Sequence, residues 1–314
     1  MQTAVVTGAY GFIGRHLARR LAAAGYRVIG IGHGSWGREE WAGWGLCDWR
    51  HADVDLNEML TYAEQPSVIF HCAGSGSVGF SMQHPLQDYQ RSVTSTIAVL
   101  EFVRLHVPDC RVVLLSSAAV YGAAGGRRLC ETEPANPISP YGVHKKIAED
   151  LCRSYASSFG LAVAVVRFFS VYGPELRKQL LWDASWKILQ KRYEFSGDGS
   201  EVRDFLYVSD AVELLLKMTE QASDRCPVVN GGTGEGISIR SVLTELFRCF
   251  SEPEGPLFSG VARSGDPAQL IADCTRAHHT GWRAQVRLEE GVTNYVRWFR
   301  ELHEAHAAAG SSEC

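Results

Sequence analysis

Short apolar runs rich in β-branched residues alternate, along the first half of the chain, with stretches whose apolar positions recur at helical spacing. Between the first two runs, Phe12, Ile13, Leu17 and Leu21 share one helical face. Strands that are apolar throughout are typical of a parallel sheet covered by helices on both faces. The pattern therefore predicts an α/β protein with a doubly wound parallel sheet. The five predicted strands are 4–7, 27–31, 67–72, 111–117 and 162–168.

Beyond residue 173 the periodicity loosens, and glycine-containing turns separate shorter elements. We expect the doubly wound sheet to occupy residues 1–173, with the segment 207–230 returning to it. A smaller C-terminal lobe, interleaved with this domain, is expected over 174–206 and 231–304. Residues 305–314 are expected to form a flexible tail.

Composition and charge exclude several classes of protein. The 314 residues carry a formal net charge of −4 and no basic run, which argues against a nucleic-acid surface. No apolar stretch is long enough to span a membrane. The nine cysteines are scattered and never spaced as C-x-x-C, and the histidines have no partners at metal-site spacing. We therefore expect a cytoplasmic protein with reduced thiols and no metal.

The segment VVTGAYGFIG places Gly8, Gly11 and Gly14 between the first strand and the first helix. Glycine at these positions allows a tight turn and a close approach of backbone N–H groups to a pyrophosphate. Such a turn is a weak signal by itself, but here a strand and a helix flank it in the required order. The sequence therefore predicts a dinucleotide cofactor bound to a Rossmann-type sheet.

A second group of residues points to proton transfer. Tyr141 and Lys145 are four residues apart, so they lie on one face of a predicted helix, and Ser117 ends a buried strand. An ammonium group close to a phenol lowers the phenol's pKa and allows proton exchange near neutral pH. The serine hydroxyl would hold the substrate oxygen that gains or loses this proton. A chance Y-x-x-x-K on an ordinary helix is the alternative, but Ser117 and the glycine turn favour catalysis.

These motifs resemble the extended short-chain dehydrogenase/reductase family, in particular its nucleotide-sugar epimerases, dehydratases and ketoreductases. The resemblance covers nearly the whole chain and implies that Ser117, Tyr141 and Lys145 are the catalytic trio. By the same resemblance, Tyr141 is the proton donor or acceptor and Lys145 also binds the nicotinamide ribose. The segments that carry the resemblance, beside these motifs, are 70–89, 167–174, 197–212, 263–267 and 281–292.

The resemblance also implies which residues bind the two ligands. The substrate would be a nucleotide-diphosphate sugar, because an arginine pair suits a diphosphate in charge and geometry. The implied cofactor-binding residues are Gly8, Tyr10, Gly11, Phe12, Ile13, Gly14, Asp53, Val54, Cys72, Ala73, Gly74, Ser92, Tyr141, Lys145 and Phe168. The implied substrate-binding residues are Ser81, Ser117, Ser170, Phe195, Arg203, Arg263 and Asp266.

Two departures from the family pattern bear on the reaction. Ser92 and Ser170 stand where the family usually has asparagine, which weakens the assignment of contacts at both positions. Family dehydratases carry an Asp-Glu pair directly after the catalytic hydroxyl residue, whereas this chain has Ala118 and Ala119. Since alanine cannot move protons, the sequence argues against dehydration. The reaction that the sequence leaves open is hydride transfer at the sugar 4-position. This transfer would serve either the net reduction of a keto-sugar or an epimerisation through a transient keto-sugar.

A third departure lies at the turn Gly32-His33-Gly34, here called the ribose corner, which lacks the acid that ordinarily binds the adenine ribose. Without a carboxylate a 2′-phosphate is not repelled, and His33 and Arg38 are available to pair with it. The alternative is that the backbone and Ser35 reach the ribose hydroxyls and accept NAD(H). We expect NADP(H) to be preferred and hence a 4-ketoreductase, ahead of an NAD-retaining 4-epimerase. A third interpretation is a non-catalytic protein that senses a dinucleotide. The intact trio argues against it, because a sensor does not need catalytic residues.

The resemblance further implies a homodimer. The helices at about 84–107 and 140–159 match those that pair across a two-fold axis in this family as a four-helix bundle. Some of the apolar residues on their outer faces are therefore expected to contact the partner subunit. The residues that we place on those faces are Ile97, Leu100, Leu151 and Tyr155.

Overall fold

The computed structural model describes residues 2–123, 127–261 and 269–310, with no side-chain detail for 305–310. The strands are β1 (Thr3–Thr7), β2 (Arg27–Gly32), β3 (Asp48–His51), β4 (Val68–His71), β5 (Arg111–Ser117), β6 (Arg128–Leu129), β7 (Val163–Phe168), β8 (Ser170–Tyr172), β9 (Glu194–Phe195), β10 (Val202–Arg203), β11 (Phe205–Tyr207), β12 (Val228–Gly231), β13 (Ile237–Ser238), β14 (Leu257–Phe258) and β15 (Gln269–Ala272). The helices are α1 (Phe12–Ala23), α2 (Arg38–Gly43), α3 (Leu56–Tyr62), α4 (Val78–Gln83), α5 (Pro85–Tyr89), α6 (Ser95–His106), α7 (Pro140–Phe159), α8 (Gln179–Leu189), α9 (Val208–Gln221), α10 (Ile239–Phe250), α11 (Thr275–His279) and α12 (Leu288–Gly310). A π-helical turn over Gln90–Thr94 joins α5 to α6.

Seven strands form one parallel sheet in the order β12-β7-β5-β4-β1-β2-β3. All six residues of β7 are buried, as expected for a strand covered on both faces. One apolar core, on the side of α1 and α9, and a second, on the side of α3, α6 and α7, enclose the sheet. The strand order reverses between β1 and β4, which is where ligands bind in doubly wound folds. The predicted fold class is confirmed.

The predicted strands agree with the structure to within a residue at each end, and β5 agrees at both ends. The edge strand β3 was not predicted, because its sequence DWRH is polar and its residues are half-buried or exposed. An apolar pattern cannot reveal a strand that lacks a buried face.

A third apolar core lies in the C-terminal part of the chain, where α8, α10 and α12 pack together. Aromatic rings dominate it, with Tyr295, Phe247 and Phe299 among the largest fully buried side chains. A short four-stranded sheet, in the order β13-β10-β15-β6, links this part to the end of the large sheet. This small sheet includes β6, which follows β5 in the chain.

Within the described ranges, no helix is long and apolar enough to cross a membrane. In the same ranges, no three His, Cys, Asp or Glu side chains are grouped so that they could hold a metal ion. The eight cysteines that the structure describes are free thiols.

Candidate active site

The glycine turn after β1 is shaped by contacts that exclude side chains. Gly8 adopts a φ of +70° and donates its N–H to the Ile31 carbonyl at 2.7 Å, which ties the turn to β2. A Cβ at Gly14 would lie 2.3 Å from the Gly8 carbonyl oxygen, so only glycine lets α1 pack this close to the turn. Gly11 is the N-cap residue of α1. The helix N-terminus is therefore open to a pyrophosphate, and a dinucleotide fits these residues.

The ribose corner is glycine-rich for a packing reason. Gly32 has a φ of +151°, and a Cβ there would lie 3.2 Å from the backbone nitrogen of Gly8. Gly34 has a φ of +132°, and a Cβ there would lie 2.3 Å from the Tyr10 ring. The Tyr10 ring in turn meets the Trp36 ring edge-on, with centroids 5.1 Å apart. Any side chain at the two glycines would disturb the turn or this aromatic packing.

The structure corrects the expected role of His33. Its Nε2 lies 2.6 Å from Asp53 Oδ1, so the imidazole pairs with a carboxylate instead of being left for a 2′-phosphate. Both side chains are exposed, at 60% and 76%. The pairing of β2 with β3, in which Gly32 opposes His51, brings the two loops together. The ribose corner therefore does carry an acid, supplied by the loop after β3. Arg38 lies at the start of α2 and is exposed.

Helix α7 brings the three predicted catalytic residues together. The helix begins after Ser139, whose hydroxyl accepts the N–H of Gly142, and has Pro140 at its first position. Tyr141 therefore lies in the first turn of α7. Its phenol makes a hydrogen bond with the hydroxyl of Ser117 at the end of β5. Lys145 follows one turn later.

Burial dominates the electrostatics of this group. It raises the pKa of Tyr141, and the hydrogen bond with Ser117 offsets this only in part. Burial also lowers the pKa of Lys145, which is 6% exposed and donates from Nζ to the Leu115 carbonyl at 2.8 Å. The net result is a raised pKa for the phenol, and the lowering expected from Lys145 stays a prediction. In this state the phenol is protonated.

The loop after β4 lies against both Lys145 and the glycine turn. Gly74 has a φ of +133°, and a Cβ there would lie 3.3 Å from Lys145 Nζ and 3.4 Å from the oxygen of Ser92. A Cβ at Gly8 would meet the backbone nitrogen of Ala73 at 2.8 Å. The structure thus brings the glycine turn, this loop and Lys145 together, as a cofactor spanning them requires.

Ser81, expected to bind substrate, has a different role. It is wholly buried; its hydroxyl accepts the N–H of Tyr141 at 3.1 Å and donates to the Val78 carbonyl at 2.8 Å. A side chain without exposed surface cannot contact a substrate. Ser81 instead fixes the backbone of Tyr141 at the start of α7.

The remaining expected cofactor residues are apolar or weakly polar and pack into the cores around the site. Phe168 is buried, and its ring fills the space where a Cβ of Gly231 would stand. Burial raises the pKa of Cys72 to about 12, so its thiol is neutral. The partly buried members of this group are Phe12, Ile13, Val54 and Cys72.

The expected substrate residues beyond Ser81 and Ser117 lie in β8 and in the C-terminal part of the chain. Ser170 begins β8 and opposes Phe205 of β11. Arg203 lies in β10 and donates to the Val202 carbonyl at 2.9 Å. Arg263 and Asp266 lie outside the described residues. The structure therefore does not bear on the expected arginine pair.

Phe195, expected to stack on the nucleotide base, is 7% exposed. The Lys187 ammonium lies over its ring, 4.8 Å from the centroid, so a stacked base would have to displace it. A pocket of about 400 Å³ opens beside this ring. The basic residues that line this pocket belong to no motif in the sequence. The residues that line it are Lys187, Arg192, Tyr193, Glu194, Phe195, Ser196 and Ser259.

A buried ion network behind the trio was also missed. Glu149, one turn after Lys145, accepts hydrogen bonds from Arg167 at 2.7 Å, Arg153 at 2.9 Å and Ser116 at 2.6 Å. Two signals for it exist in the sequence: the four-residue spacing from Lys145, and a single arginine within an otherwise apolar strand. Together these contacts anchor α7 to β5 and β7.

A doubly wound parallel sheet, with a glycine turn after β1 and a Ser–Tyr–Lys trio beside β5, defines an enzyme of the extended short-chain dehydrogenase/reductase class. The model of the NAD dependent epimerase/dehydratase family matches residues 4–231. The chain therefore belongs to this family. The trio, glycine turn and β4 loop all lie within the matched residues.

Similar proteins extend the match to nearly the whole length. A putative UDP-glucose 4-epimerase of Methanocaldococcus jannaschii is 30% identical over 309 residues, which cover 94% of this chain and 98% of that protein. The UDP-glucose 4-epimerase of Thermotoga maritima, solved with UDP-glucose, has 28% identity and a TM-score of 0.87, covering 96% and 99% of the two chains. The protein MoeE5, solved with UDP-glucuronic acid and NAD, has 31% identity and a TM-score of 0.84, covering 95% and 99%. These findings favour the epimerase over the ketoreductase that the sequence analysis put first.

Proposed function

We propose that this protein is a UDP-sugar 4-epimerase that works with a retained NAD. The observation that carries the proposal is the near full-length similarity to proteins named UDP-glucose 4-epimerase. Two features of the site support it. Tyr141 is hydrogen-bonded to Ser117, and Lys145 follows one helical turn later on α7, which supports proton transfer at a sugar hydroxyl. Ala118 and Ala119 offer no acid or base for the elimination of water.

NAD suits the ribose corner better than NADP. The preference for NADP(H) that the sequence favoured rested on His33 being available to a 2′-phosphate. Because His33 pairs with Asp53, the corner presents a carboxylate, which repels a phosphate and accepts hydrogen bonds from ribose hydroxyls. MoeE5 and the UDP-glucose 4-epimerase of Thermus thermophilus were both solved with NAD, which supports the same choice.

The binding isotherms of NAD and NADP test this assignment. We expect the wild type to bind NAD at least about tenfold more tightly, which corresponds to about 1.4 kcal/mol. Asp53→Asn should narrow the difference, since the repelling charge is lost. Asp55→Asn is the matched control, because asparagine still caps α3 as Asp55 does. Tighter binding of NADP by the wild type would restore the original expectation.

The chain's own residues supply proton transfer and orientation. A bound NAD, held by the glycine turn after β1 and the loop after β4, would supply the hydride acceptor for the sugar carbon and then the hydride donor. In its phenolate form, Tyr141 takes the proton of the sugar hydroxyl as a general base, and the phenol then gives the proton back as a general acid. The Ser117 hydroxyl holds the sugar oxygen, and the Lys145 ammonium stabilises the phenolate while the proton is away.

We infer the division of labour between the two parts of the chain. Residues 1–173, with 207–230, would bind the cofactor, while 174–206 and 231–304 would bind the nucleotide sugar. The pocket beside Phe195 supports this division, because Lys187 and Arg192 provide positive charge that suits a diphosphate.

We further infer a homodimer built on α6 and α7. Ile97 is 38% exposed on α6 and Phe159 is 53% exposed on α7, while Leu151 and Tyr155 are half-buried. Leu100, in contrast, is wholly buried in the core of its own subunit and cannot contribute. Light scattering at micromolar concentration should give the mass of two chains. A monomeric mass would contradict the inference.

The reaction itself can be tested directly. Purified protein with NAD is incubated with UDP-glucose, UDP-glucuronic acid or UDP-N-acetylglucosamine, the nucleotide sugars to which the similar structures point. We expect at least one of them to be converted to its 4-epimer without net change in nicotinamide absorbance. Consumption of NADPH with a 4-keto-sugar, without epimerisation of any of the three, would establish the ketoreductase instead.

A further inference from the structure

A lysine to which neither the motifs nor the family resemblance gave a role lies at the edge of the site. Lys178 stands directly before α8, and its Nζ lies 3.5 Å from the Gly76 carbonyl oxygen in the loop after β4. A Cβ at Gly76 would come within 3.1 Å of this ammonium. Among the described residues, no carboxylate forms an ion pair with Lys178. Its charge is therefore available to a ligand.

The loop after β4 connects Lys178 to the catalytic pair. Gly74 is the other glycine of this loop at which a Cβ would crowd an ammonium, because it would lie 3.3 Å from Nζ of Lys145. Lys145 follows Tyr141 by one turn of α7. A sugar whose C4 hydroxyl meets Tyr141 would therefore have this loop, and Lys178 beyond it, as neighbours.

The loop over 174–178 is held in place by both parts of the chain. Glu175 accepts hydrogen bonds from Arg15 on α1 at 2.6 Å and from the indole of Trp298 on α12 at 3.0 Å. Arg177 is engaged as well, because its guanidinium pairs with Glu175 at 3.2 Å. Lys178 is thus the cation of this loop that has no carboxylate partner among the described residues.

The backbone on both sides of Lys178 adopts a conformation that is uncommon for these residue types. Glu175 has a φ of +72°, and Gln179 has a φ of +68°. A positive φ at a residue other than glycine persists where surrounding contacts hold it, and such residues cluster at functional sites. The contacts of Glu175 hold the backbone here. The loop therefore presents Lys178 at a fixed place.

The surroundings of Lys178 suit the binding of an anion. Its side chain stays accessible, but the neighbouring protein removes part of its water and thereby lowers its pKa. The Gly76 carbonyl is neutral and 3.5 Å away, so it does not balance the charge. An ammonium that has lost part of its water gains more from a carboxylate or phosphate than one in open solvent.

A nucleotide sugar offers two kinds of anionic group, the diphosphate and a carboxylate on the sugar. In the proposed function the diphosphate already has the pocket beside Phe195, with Lys187 and Arg192. Lys178 lies instead along the loop that reaches Lys145, where the sugar ring is expected. In a hexose, C6 is carried by C5, the neighbour of the reacting C4, and in a hexuronic acid C6 is a carboxylate. An acidic sugar would therefore give Lys178 its partner.

We propose that Lys178 is a specificity-determining residue that binds the carboxylate of a UDP-hexuronic acid, so that the protein prefers an acidic sugar to a neutral one. This inference rests on the proposed function, because it names the sugar that the epimerase takes. Lys178 does not take part in the proton transfer, which belongs to Tyr141.

The experiment measures the binding of nucleotide sugars to the NAD-loaded protein by calorimetry, in a Tyr141→Phe background that prevents conversion during the titration. UDP-glucuronic acid and UDP-glucose differ only at C6, so their comparison isolates the carboxylate. We expect UDP-glucuronic acid to bind at least about tenfold more tightly, the scale of one charge-assisted hydrogen bond. Equal affinities, or tighter binding of UDP-glucose, would overturn the proposal without any change at Lys178.

Variants at Lys178 test the origin of the preference. Lys178→Gln removes the charge and should abolish the preference by weakening UDP-glucuronic acid, while the affinities for UDP-glucose and UDP stay unchanged. Lys178→Arg keeps a cation and should keep most of the preference. Lys217→Gln is the matched control, because Lys217 lies on α9 and pairs with Glu220 at the surface. It should keep every affinity.

The outcomes separate this inference from the proposed function. An undiminished preference in folded Lys178→Gln would overturn the inference. Equal weakening of UDP-glucuronic acid, UDP-glucose and UDP would place Lys178 on the diphosphate and would overturn it too. A failure of the proposed function looks different, because the protein would then bind neither nucleotide sugar, and the inference would fall with it.

Discussion

At the scale of single residues, Tyr141 is proposed to carry a proton on its phenol oxygen, which a phenylalanine cannot do. Tyr141→Phe keeps the ring and its packing but removes the oxygen that carries the proton. Turnover should therefore fall by at least ~100-fold, the usual scale of general acid–base catalysis, while NAD binding stays unchanged. The measurement is the initial rate beside an NAD isotherm. Tyr62→Phe on α3, outside the trio, is the control and should keep both values. A Tyr141→Phe enzyme with near wild-type turnover would remove the phenol from the mechanism.

His71 is a buried polar residue whose hydrogen bonds hold the backbone around the site. It ends β4, and its Nδ1 lies 2.7 Å from the Thr7 hydroxyl at the end of β1. Its Nε2 lies 3.1 Å from the hydroxyl of Thr96 on α6. The Thr7 hydroxyl also accepts the N–H of Ala73 in the loop after β4 at 3.2 Å. The imidazole thus ties the loop beneath the cofactor to the sheet and to α6.

This contact predicts a pH dependence of stability. Burial lowers the pKa of His71 to about 3, whereas an unfolded histidine takes up its proton near 6.5. The unfolded state therefore binds more protons below pH 6.5, and stability is lost as the pH falls from there towards 3. Between pH 6.5 and 5 this one group should cost about 2 kcal/mol.

Urea unfolding at pH 6.5 and at pH 5 measures this loss of stability. His71→Gln lacks the titrating group, so its loss of stability between pH 6.5 and 5 should be smaller than that of the wild type by about 2 kcal/mol. His16, whose pKa is lowered to about 4, contributes equally to both proteins and cancels in the comparison. Equal losses in the two proteins would show that His71 is protonated in the folded state.

At the scale of elements, the Glu149 network is what holds α7, and hence Tyr141 and Lys145, against the sheet. Breaking a buried ion pair from one side leaves an uncompensated charge. Glu149→Gln should therefore lower the free energy of unfolding by about 3–5 kcal/mol, measured by urea denaturation. Asp150→Asn is the control, because Asp150 is the next residue on α7 but forms exposed pairs with Lys146 and Arg153.

The control should change stability by no more than about 0.5 kcal/mol, as is usual at the surface. If Glu149→Gln lowers the free energy of unfolding no more than Asp150→Asn does, the network does not anchor α7. The anchoring role would then pass to the cap at Ser139 and the contact of Ser81 with Tyr141.

Features that depend on local pattern could be predicted from the sequence. The inner strands are continuous apolar runs, and the glycine turn lies between a strand and a helix. The trio also combines a helical spacing with a strand end. The polar edge strand β3 gives no such pattern, so the pairing that brings Asp53 to His33 was missed. The buried contact of Asp88 on α5 with His144 on α7 was missed as well, because the two residues are far apart in sequence.

At the scale of the whole molecule, the site lies where the strand order of the sheet reverses and the smaller lobe approaches. The sheet contributes the glycine turn, Ser117 and the loop after β4, while α7 contributes the proton-transfer pair. A pocket lined by Lys187, Arg192 and Glu194 opens beside Phe195. The proposed epimerisation would need all three parts to hold the sugar while each of its faces is presented in turn.

The fate of the hydrogen on the sugar C4 tests the central claim, epimerisation through a retained cofactor, most directly. A UDP-sugar carrying deuterium at C4 is incubated with the protein and NAD, and the 4-epimer is analysed by mass spectrometry. The account predicts that the label stays in the product, because the hydride that leaves the sugar is the one that returns. It also predicts no exchange with added unlabelled NADH. A product without deuterium, or reduction of a keto-sugar by external NADPH without any epimer, would contradict it.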